Sequence, residues 1–188
     1  MYVIINKYCD CEVNKAMTQE LIDLRNSILE QRYSDALAIV DELEGMGRQA
    51  ILRNIQSFLV RLMIHLIKNH VEKRLTNSWS NSIRSSIREI KKINLQDNKT
   101  SYYIKINEWQ LILEDEFEEA IREASDEVMN GIYSPFQLTE MVDKMQIINQ
   151  SQILLNLTYN YSIKELPAVI DDYLTQLPGG EDWKLGKR

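Results

Sequence analysis

The stretch from Asp41 to Ile90 decides the fold: DELEGMGRQAILRNIQSFLVRLMIHLIKNHVEKRLTNSWSNSIRSSIREI. It starts with a Gly45-x-Gly47 step and ends with a Ser78-Trp79 helix start. A narrow polar stripe runs along its helix and comprises Asn54, Ser57, Arg61, His65, Lys68 and Glu72, and nearly every residue between the members of that stripe is hydrophobic. Such a helix must be covered on most of its circumference, so the stretch predicts the centre of a helical bundle.

The composition favours an all-α protein without a membrane span. With only 6 Gly and 3 Pro among 188 residues, the chain lacks the frequent turns of an all-β fold. No run approaches the ~18 consecutive apolar residues of a transmembrane helix. The apolar run at the N-terminus is too short for a signal peptide. We therefore expect a cytoplasmic protein that does not bind membranes.

Apolar spacing and capping residues predict a series of helices. In chain order they cover residues 14–31, 34 to the Gly45-x-Gly47 pair, 48–71, 78–90, 102–130, 135–159 and 167–177. Met17, Leu21, Leu24 and Ile28 form the inner face of the first helix. The pair Gly45-x-Gly47 is expected to break or bend the chain, because glycine weakens helix continuation.

These helices predict a single domain over 1–188, an up-and-down bundle of four core helices with additional C-terminal helices at about 135–178. The sequence gives a specific signal for the start of those extra helices. Ser134 and Gln137 form a capping box, and Pro135 stands at the first helical position. The tail 179–188 is expected to be mobile.

Charge is unevenly distributed along the chain. Residues 61–99 carry nine Lys/Arg against three Asp/Glu, whereas residues 105–131 carry two against nine. The economical explanation is that the basic helix at 78–90 and the acidic helix that follows it are antiparallel neighbours with complementary faces.

One polar stripe on the central helix is a candidate slot for a ligand or catalysis. Its residues are spaced i, i+4, i+7 and i+11: Arg61, His65, Lys68 and Glu72. A histidine between cations has a lowered pKa and stays neutral near pH 7, which suits a base or a ligand. Glu42 and Arg48 would complete the slot if their side chains converge with it. The alternative is the solvated edge of a buried helix.

A basic strip is a candidate nucleic-acid surface. It comprises Arg74, Arg84, Arg88, Lys91 and Lys92. A phosphate-binding face has this local composition. The net charge of −6 argues against nucleic acid, and Trp79 is in register with Ile83 and Ile87, which favours a core position over a stacking platform.

The chain offers no recognisable metal, cofactor or enzyme motif. His65 and His70 point about 140° apart on a helix, so they cannot share one ion. Cys9 and Cys11 are too close for an ordinary disulfide, and no second Cys/His pair completes a zinc site. Phosphate-binding glycine loops and nucleophile elbows are absent. We therefore expect no cofactor, no metal and no enzyme activity.

Three motifs resemble domain of unknown function 29, a family of small helical proteins abundant in cyanobacteria. They are Glu42-Leu-Glu-Gly-Met-Gly-Arg48, His65-Leu-Ile-Lys68, and Ser78-Trp79-x-x-Ser82-Ile83 followed by Arg84, Arg88 and Ile90. The resemblance covers about 17–130 and implies an all-helical, cytoplasmic protein with no assigned activity. Family members usually have an aromatic residue after the lysine and then a Gln-Pro step, whereas Asn69 follows Lys68 here.

The amphipathic surface exceeds what a four-helix core requires, which favours a non-enzymatic module that binds another protein or a second copy of itself. Nucleic-acid binding through the basic strip and a ligand or catalytic slot at the polar stripe are the alternatives.

Overall fold

The computed structural model describes residues 19–96 and 100–187, and this part of the chain is all-α, as predicted. Its helices are α1 (residues 19–29), α2 (Tyr33–Glu72), α3 (Asn77–Asn94), α4 (Trp109–Glu127), α5 (Pro135–Met141), α6 (Lys144–Asn160), α7 (Leu166–Leu174) and α8 (Gly180–Lys184). A 3-10 turn, Val128–Asn130, follows α4. Within the described ranges the one β-type pairing is an isolated bridge between Leu95 and Tyr102.

By its internal contacts the chain divides into two compact units, Met1–Ile51 and Leu52–Arg188. The first is called the N-terminal unit below and the second the C-terminal unit. The boundary falls inside α2, whose helical backbone is continuous through it. The single domain over 1–188 stays a prediction.

The N-terminal unit contains α1 and the start of α2. A Schellman motif ends α1: the Arg32 amide donates to the Ser27 carbonyl at 2.8 Å, and the Gln31 amide donates to the Ile28 carbonyl at 3.1 Å. Gln31 supplies the left-handed residue, with φ 59°. The predicted inner face is wrong at Leu21 and Ile28, which are 55% and 51% exposed. Met17, the first residue of that face, lies outside the described residues.

The predicted break at Gly45-x-Gly47 is also wrong, because α2 continues through both glycines. Each glycine costs a helix only about 1 kcal/mol relative to alanine, and neither a proline nor a competing cap stands beside them. Among the residues that the structure describes, a Cβ atom at either position would meet no neighbouring atom within 4 Å. Close packing against these residues therefore does not require the glycines.

The C-terminal unit is built around the second half of α2. Ile55, Leu59, Leu62, Leu66 and Ile67 are fully buried there. The predicted inner face of α3 is confirmed, since Trp79, Ile83, Ile87 and Ile90 are all buried. α3 packs against α6 and α7, α4 packs against α5 and α6, and α6 packs against α7.

By length and composition alone, α2 could cross a membrane. This is weak evidence, because the core helix of a soluble protein passes the same test, and 44% of its most apolar 18-residue window is buried within the chain.

The predicted helix at 135–159 is two helices. The capping box at its start is confirmed, because the Ser134 hydroxyl and the Gln137 side chain each bond the other residue's backbone amide. The helix ends at Met141, and Asp143 then caps α6 by accepting a hydrogen bond from the Gln146 amide at 3.1 Å. A competing N-cap therefore divides the segment.

The tail that we expected to be mobile contains α8. Gly179 has φ 71°, and a Cβ atom there would lie 2.6 Å from the Arg74 Cα atom, so only glycine fits this approach. The Trp183 indole N–H donates to the Asn77 side-chain oxygen at 2.8 Å. These contacts join the last helix to the start of α3.

A buried polar network holds the start of α4. The amide of Asn94 accepts a hydrogen bond from the Ile104 N–H at 2.8 Å and donates one to the Ile104 carbonyl at 3.0 Å. The Tyr159 hydroxyl donates to the same carbonyl at 2.8 Å and accepts from the Trp109 indole N–H at 2.7 Å. Burial raises the pKa of Tyr159 to about 12, so the hydroxyl keeps its proton. The network joins α3, α4 and α6.

Replacing Asn94 with alanine should lower the free energy of unfolding by about 2–3 kcal/mol, because the buried Ile104 N–H loses its partner. Urea unfolding followed by circular dichroism measures this loss. The matched control is Asn149→Ala at an exposed position of α6, which should change stability by less than about 0.5 kcal/mol. Equal effects of the two substitutions would contradict the role of the network.

Candidate functional site

The polar stripe of α2 is not a solvated edge at Lys68. This side chain is buried, and its ammonium nitrogen lies 4.9 Å from the centre of the Trp79 ring. The same nitrogen forms an ion pair with the Glu127 carboxylate at 2.6 Å. An aromatic face and a carboxylate together compensate the cost of burying the charge. Lys68 therefore connects α2, α3 and α4.

Glu72, at the end of the stripe, is also enclosed, with only 5% of its side chain exposed. One carboxylate oxygen accepts the Met129 backbone N–H at 3.1 Å, and the other pairs with Arg74 at 2.6 Å. These bonds occupy both oxygens. The prediction of a solvated edge is therefore wrong for this half of the stripe.

Arg61 and His65 line a cleft between α2 and α4 of about 600 Å³. The residues around it are Gln56, Ser57, Val60, Arg61, Ile64, His65, Ser82, Glu116, Glu119, Glu123 and Glu127. The four glutamates follow one another at three- and four-residue steps, so they lie along one face of α4. Glu116 already accepts a hydrogen bond from Gln56 at 2.7 Å.

His65 is neutral in this cleft. Burial, assisted by the nearby Lys68 and Arg61 charges and opposed by Glu127, lowers the pKa of His65 to about 4. The Nδ1 atom is buried without a hydrogen-bond partner among the described residues. The lowered pKa expected from the neighbouring cations is therefore found, but burial is its largest cause.

The glutamates across the cleft repel one another. Burial raises the pKa of Glu123, and the Glu119 and Glu127 charges raise it further, while Arg61 opposes the shift. The cleft thus combines a neutral imidazole with partly uncompensated carboxylates. Within the described residues, no three His, Cys, Asp or Glu side chains are grouped closely enough to hold a metal ion.

The other two residues of the predicted slot lie elsewhere in the chain. Glu42 and Arg48 belong to the N-terminal unit, and both are exposed. A slot that unites them with Arg61 and His65 stays a prediction.

The basic strip is largely engaged within the C-terminal unit. Arg84 pairs with Asp171 of α7 at 2.6 Å, and Lys91 donates to the Thr158 carbonyl of α6. The predicted pairing of α3 with α4 is wrong, because these cations find their partners on other helices.

The remaining strip residues differ in their surroundings. Arg74 pairs with Glu72, and its guanidinium lies 4.9 Å from the centre of the Trp79 ring. Lys92 pairs with Glu89 on its own helix at 2.6 Å. Arg88 is exposed, and it has no ion pair with any residue in the described ranges. Trp79 is buried, as its register with Ile83 predicts.

The profile of a known family, described as domain of unknown function DUF29, matches residues 12–153. The chain belongs to the DUF29 family. No curated protein and no solved structure matches it. The match confirms the resemblance in the three motifs and reaches beyond the expected 17–130 at both ends.

Two features of this DUF29 chain were missed by sequence reasoning. Asn69 is 1% exposed, and its side-chain amide donates to the Arg74 carbonyl at 2.9 Å and to the Pro178 carbonyl at 2.7 Å. The sequence did give one signal for this role, because Asn69 stands after Lys68 where family members usually have an aromatic residue. The second feature is the glutamate face of α4, although its three- and four-residue spacing is visible in the sequence.

The pKa of His65 predicts a pH dependence of stability. The folded protein binds a proton there near pH 4 and the unfolded chain near pH 6.5, so the unfolded state binds more protons between these values. The contribution of neutral His65 to the free energy of unfolding is fully present above pH 6.5. It disappears as the pH falls to 4, which lowers the free energy of unfolding by about 3 kcal/mol. Urea unfolding of the parent protein and of His65→Gln across this window measures it. Parallel pH curves for the two proteins would contradict the prediction.

Proposed function

We propose that this DUF29 chain is a non-enzymatic, cytoplasmic protein-interaction module that self-associates through its N-terminal unit. One observation carries the proposal: large apolar side chains are concentrated on the exposed surface of residues 21–37. They are Leu21 (55% exposed), Ile22 (47%), Ile28 (51%), Leu29 (69%), Tyr33 (62%) and Leu37 (65%). Contiguous exposed apolar surface of this kind is typical of interaction sites.

The helical period places these side chains on defined faces. Leu21, Ile22, Ile28 and Leu29 fall within an arc of roughly 120° on α1. Tyr33 and Leu37 are one turn apart on α2 and share a face. Ser27 and Ala36 are the buried residues among those described in the unit. Among the described residues of this unit, few side chains are therefore buried, whereas six large apolar side chains are exposed.

A second copy of the chain is the partner that this geometry favours. A short turn joins α1 to α2, and two copies of such a helix pair can pack into a four-helix bundle with their apolar faces inward. A two-fold interface uses the same surface on both subunits, so one apolar face supplies both sides of the contact. Burying each Leu or Ile stabilises the dimer by about 1.5–3 kcal/mol.

The charges of the C-terminal unit support a protein partner over the nucleic-acid alternative. Arg74, Arg84, Lys91 and Lys92 all have partners within the chain. Breaking those bonds would offset much of the gain from phosphate contacts. Heparin retention that weakens steeply with salt would favour the alternative.

Leu37→Glu should weaken self-association about 100-fold or more, because a two-fold interface loses two buried leucines and gains two charges. Sedimentation equilibrium of the full chain over a concentration series measures the dissociation constant. Circular dichroism should show unchanged helix content, since the residue is exposed in the isolated chain.

The matched control is Leu111→Glu in the C-terminal unit, where the leucine is 66% exposed. It should leave the dissociation constant unchanged within about twofold, the effect of a neutral surface substitution. A parent protein that remains monomeric at the highest concentration, or equal effects of both substitutions, would refute the proposal.

A further inference from the structure

The turn that follows α4 contains the one Asn-Gly pair in the chain, Asn130-Gly131. In such a pair the backbone nitrogen of the glycine can attack the side-chain carbonyl carbon of the asparagine, because the new bond closes a five-membered ring. Glycine favours this attack, since it has no side chain to obstruct it. Both residues are exposed, so water reaches them. The pair therefore has a chemical reactivity that belongs to the backbone itself.

The reaction proceeds in two steps and consumes only water. In the first step, the Gly131 nitrogen gives its proton to a solvent base and bonds to the Asn130 Cγ atom. The bond from Cγ to the side-chain nitrogen breaks, and ammonia leaves with a proton from solvent, so a succinimide ring remains. In the second step, water opens the ring. Cleavage at Cγ gives aspartate, and cleavage at the backbone carbonyl carbon gives isoaspartate.

The folded turn restrains this reaction. The Gly131 N–H donates to the Val128 carbonyl at 2.9 Å, so the attacking nitrogen keeps its proton while the turn is closed. Met129, Asn130 and Gly131 are three left-handed residues in succession, with φ values of 49°, 61° and 76°. For residues other than glycine, this conformation persists only where the surroundings determine it. The Gly131 nitrogen is therefore free to react only when the turn opens locally.

Two contacts determine the conformation of the turn. The Met129 N–H donates to the Glu72 carboxylate at 3.1 Å, and this bond ties the turn to the end of α2. Gly131 lies against α4, where a Cβ atom would be 3.1 Å from the Asp126 carbonyl oxygen. Its positive φ and this close approach both favour glycine. The fold therefore requires the residue that makes Asn130 reactive, and the Glu72 bond keeps the turn closed.

We propose that Asn130 is a modification site at which the protein deamidates to aspartate and isoaspartate, at a rate set by the hydrogen bond between Glu72 and Met129. Both products add a negative charge to the exposed turn. Isoaspartate also inserts a methylene group into the main chain, so the hydrogen bond from Gly131 to Val128 cannot form again in the same geometry. The modification thus loosens the contact between the end of α4 and α2. It is independent of self-association, whose surface lies in the N-terminal unit.

Peptide mapping of the full chain by mass spectrometry tests the proposal. The protein is incubated at mildly alkaline pH, sampled over days and digested with trypsin at mildly acidic pH, where deamidation is slow. The tryptic peptide 123–144 contains Asn130 as its one asparagine, and the peptide 75–84 contains Asn77 and Asn81, each followed by serine. The mass gain from amide to acid should accumulate faster in 123–144 than in 75–84. Separate aspartate and isoaspartate forms of 123–144 should elute.

The substitution Glu72→Ala should accelerate conversion of 123–144 about fivefold or more, because the turn loses the hydrogen bond that keeps it closed. Glu72→Gln keeps an acceptor and should stay within about twofold of the parent protein. The matched control, Glu89→Ala, removes a carboxylate that pairs with Lys92 on α3, and it should also stay within about twofold.

Conversion of 75–84 should keep the parent rate in all three variants, which distinguishes opening of the turn from general unfolding. The proposal is overturned if 123–144 converts no faster than 75–84, if Glu72→Ala and Glu89→Ala have equal effects, or if Glu72→Ala accelerates both peptides alike.

Discussion

The burial of α2 between residues 59 and 69 constrains the whole C-terminal unit. Within this range every side chain is buried except those of Arg61 and His65. A helix enclosed on nearly all sides has to satisfy its polar groups inside the protein. Lys68 does so with Glu127 and the Trp79 ring, and Asn69 does so with two backbone carbonyls. Each of these bonds fixes a neighbouring segment against α2, so the polar residues of the core helix determine where its partners lie.

Local sequence signals predicted a helix well where one short-range interaction determines its start or its buried face. The Ser134 capping box and the apolar face of α3 are examples, because both depend on residues within a few positions of one another. Gly45-x-Gly47 shows the opposite case, since the continuity of α2 depends on the helix on both sides of it rather than on the glycines. The helix that pairs with α3 was not predictable either. The total charges of the helices favoured α4 as its partner, whereas the ion pair of Arg84 is formed with Asp171 on α7. Charge totals do not specify which surfaces meet.

Only one wall of the candidate site, the one formed by α2, could be predicted from the sequence. Helical spacing correctly placed Arg61, His65 and Lys68 on one stripe, and neighbouring cations correctly indicated a lowered pKa for His65. The opposite wall was not predictable, because the rotation of α4 about its own axis depends on how its apolar face packs. Asn69 is a third kind of case. One of its carbonyl acceptors, Arg74, is five residues away along the chain, but the other, Pro178, is 109 residues away, so no local pattern predicts the pair.

Trp79 and Trp109 give this protein two internal optical probes. The indole of Trp79 has cations near its ring, Lys68 and Arg74, each at 4.9 Å, and it marks the corner between α2 and α3. The indole of Trp109 is fully buried and hydrogen-bonded to Tyr159, so it marks the junction of α4 with α6. Indole emission shifts to longer wavelength when water reaches the ring. Fluorescence from single-tryptophan variants therefore distinguishes loosening of the corner from loosening of the junction.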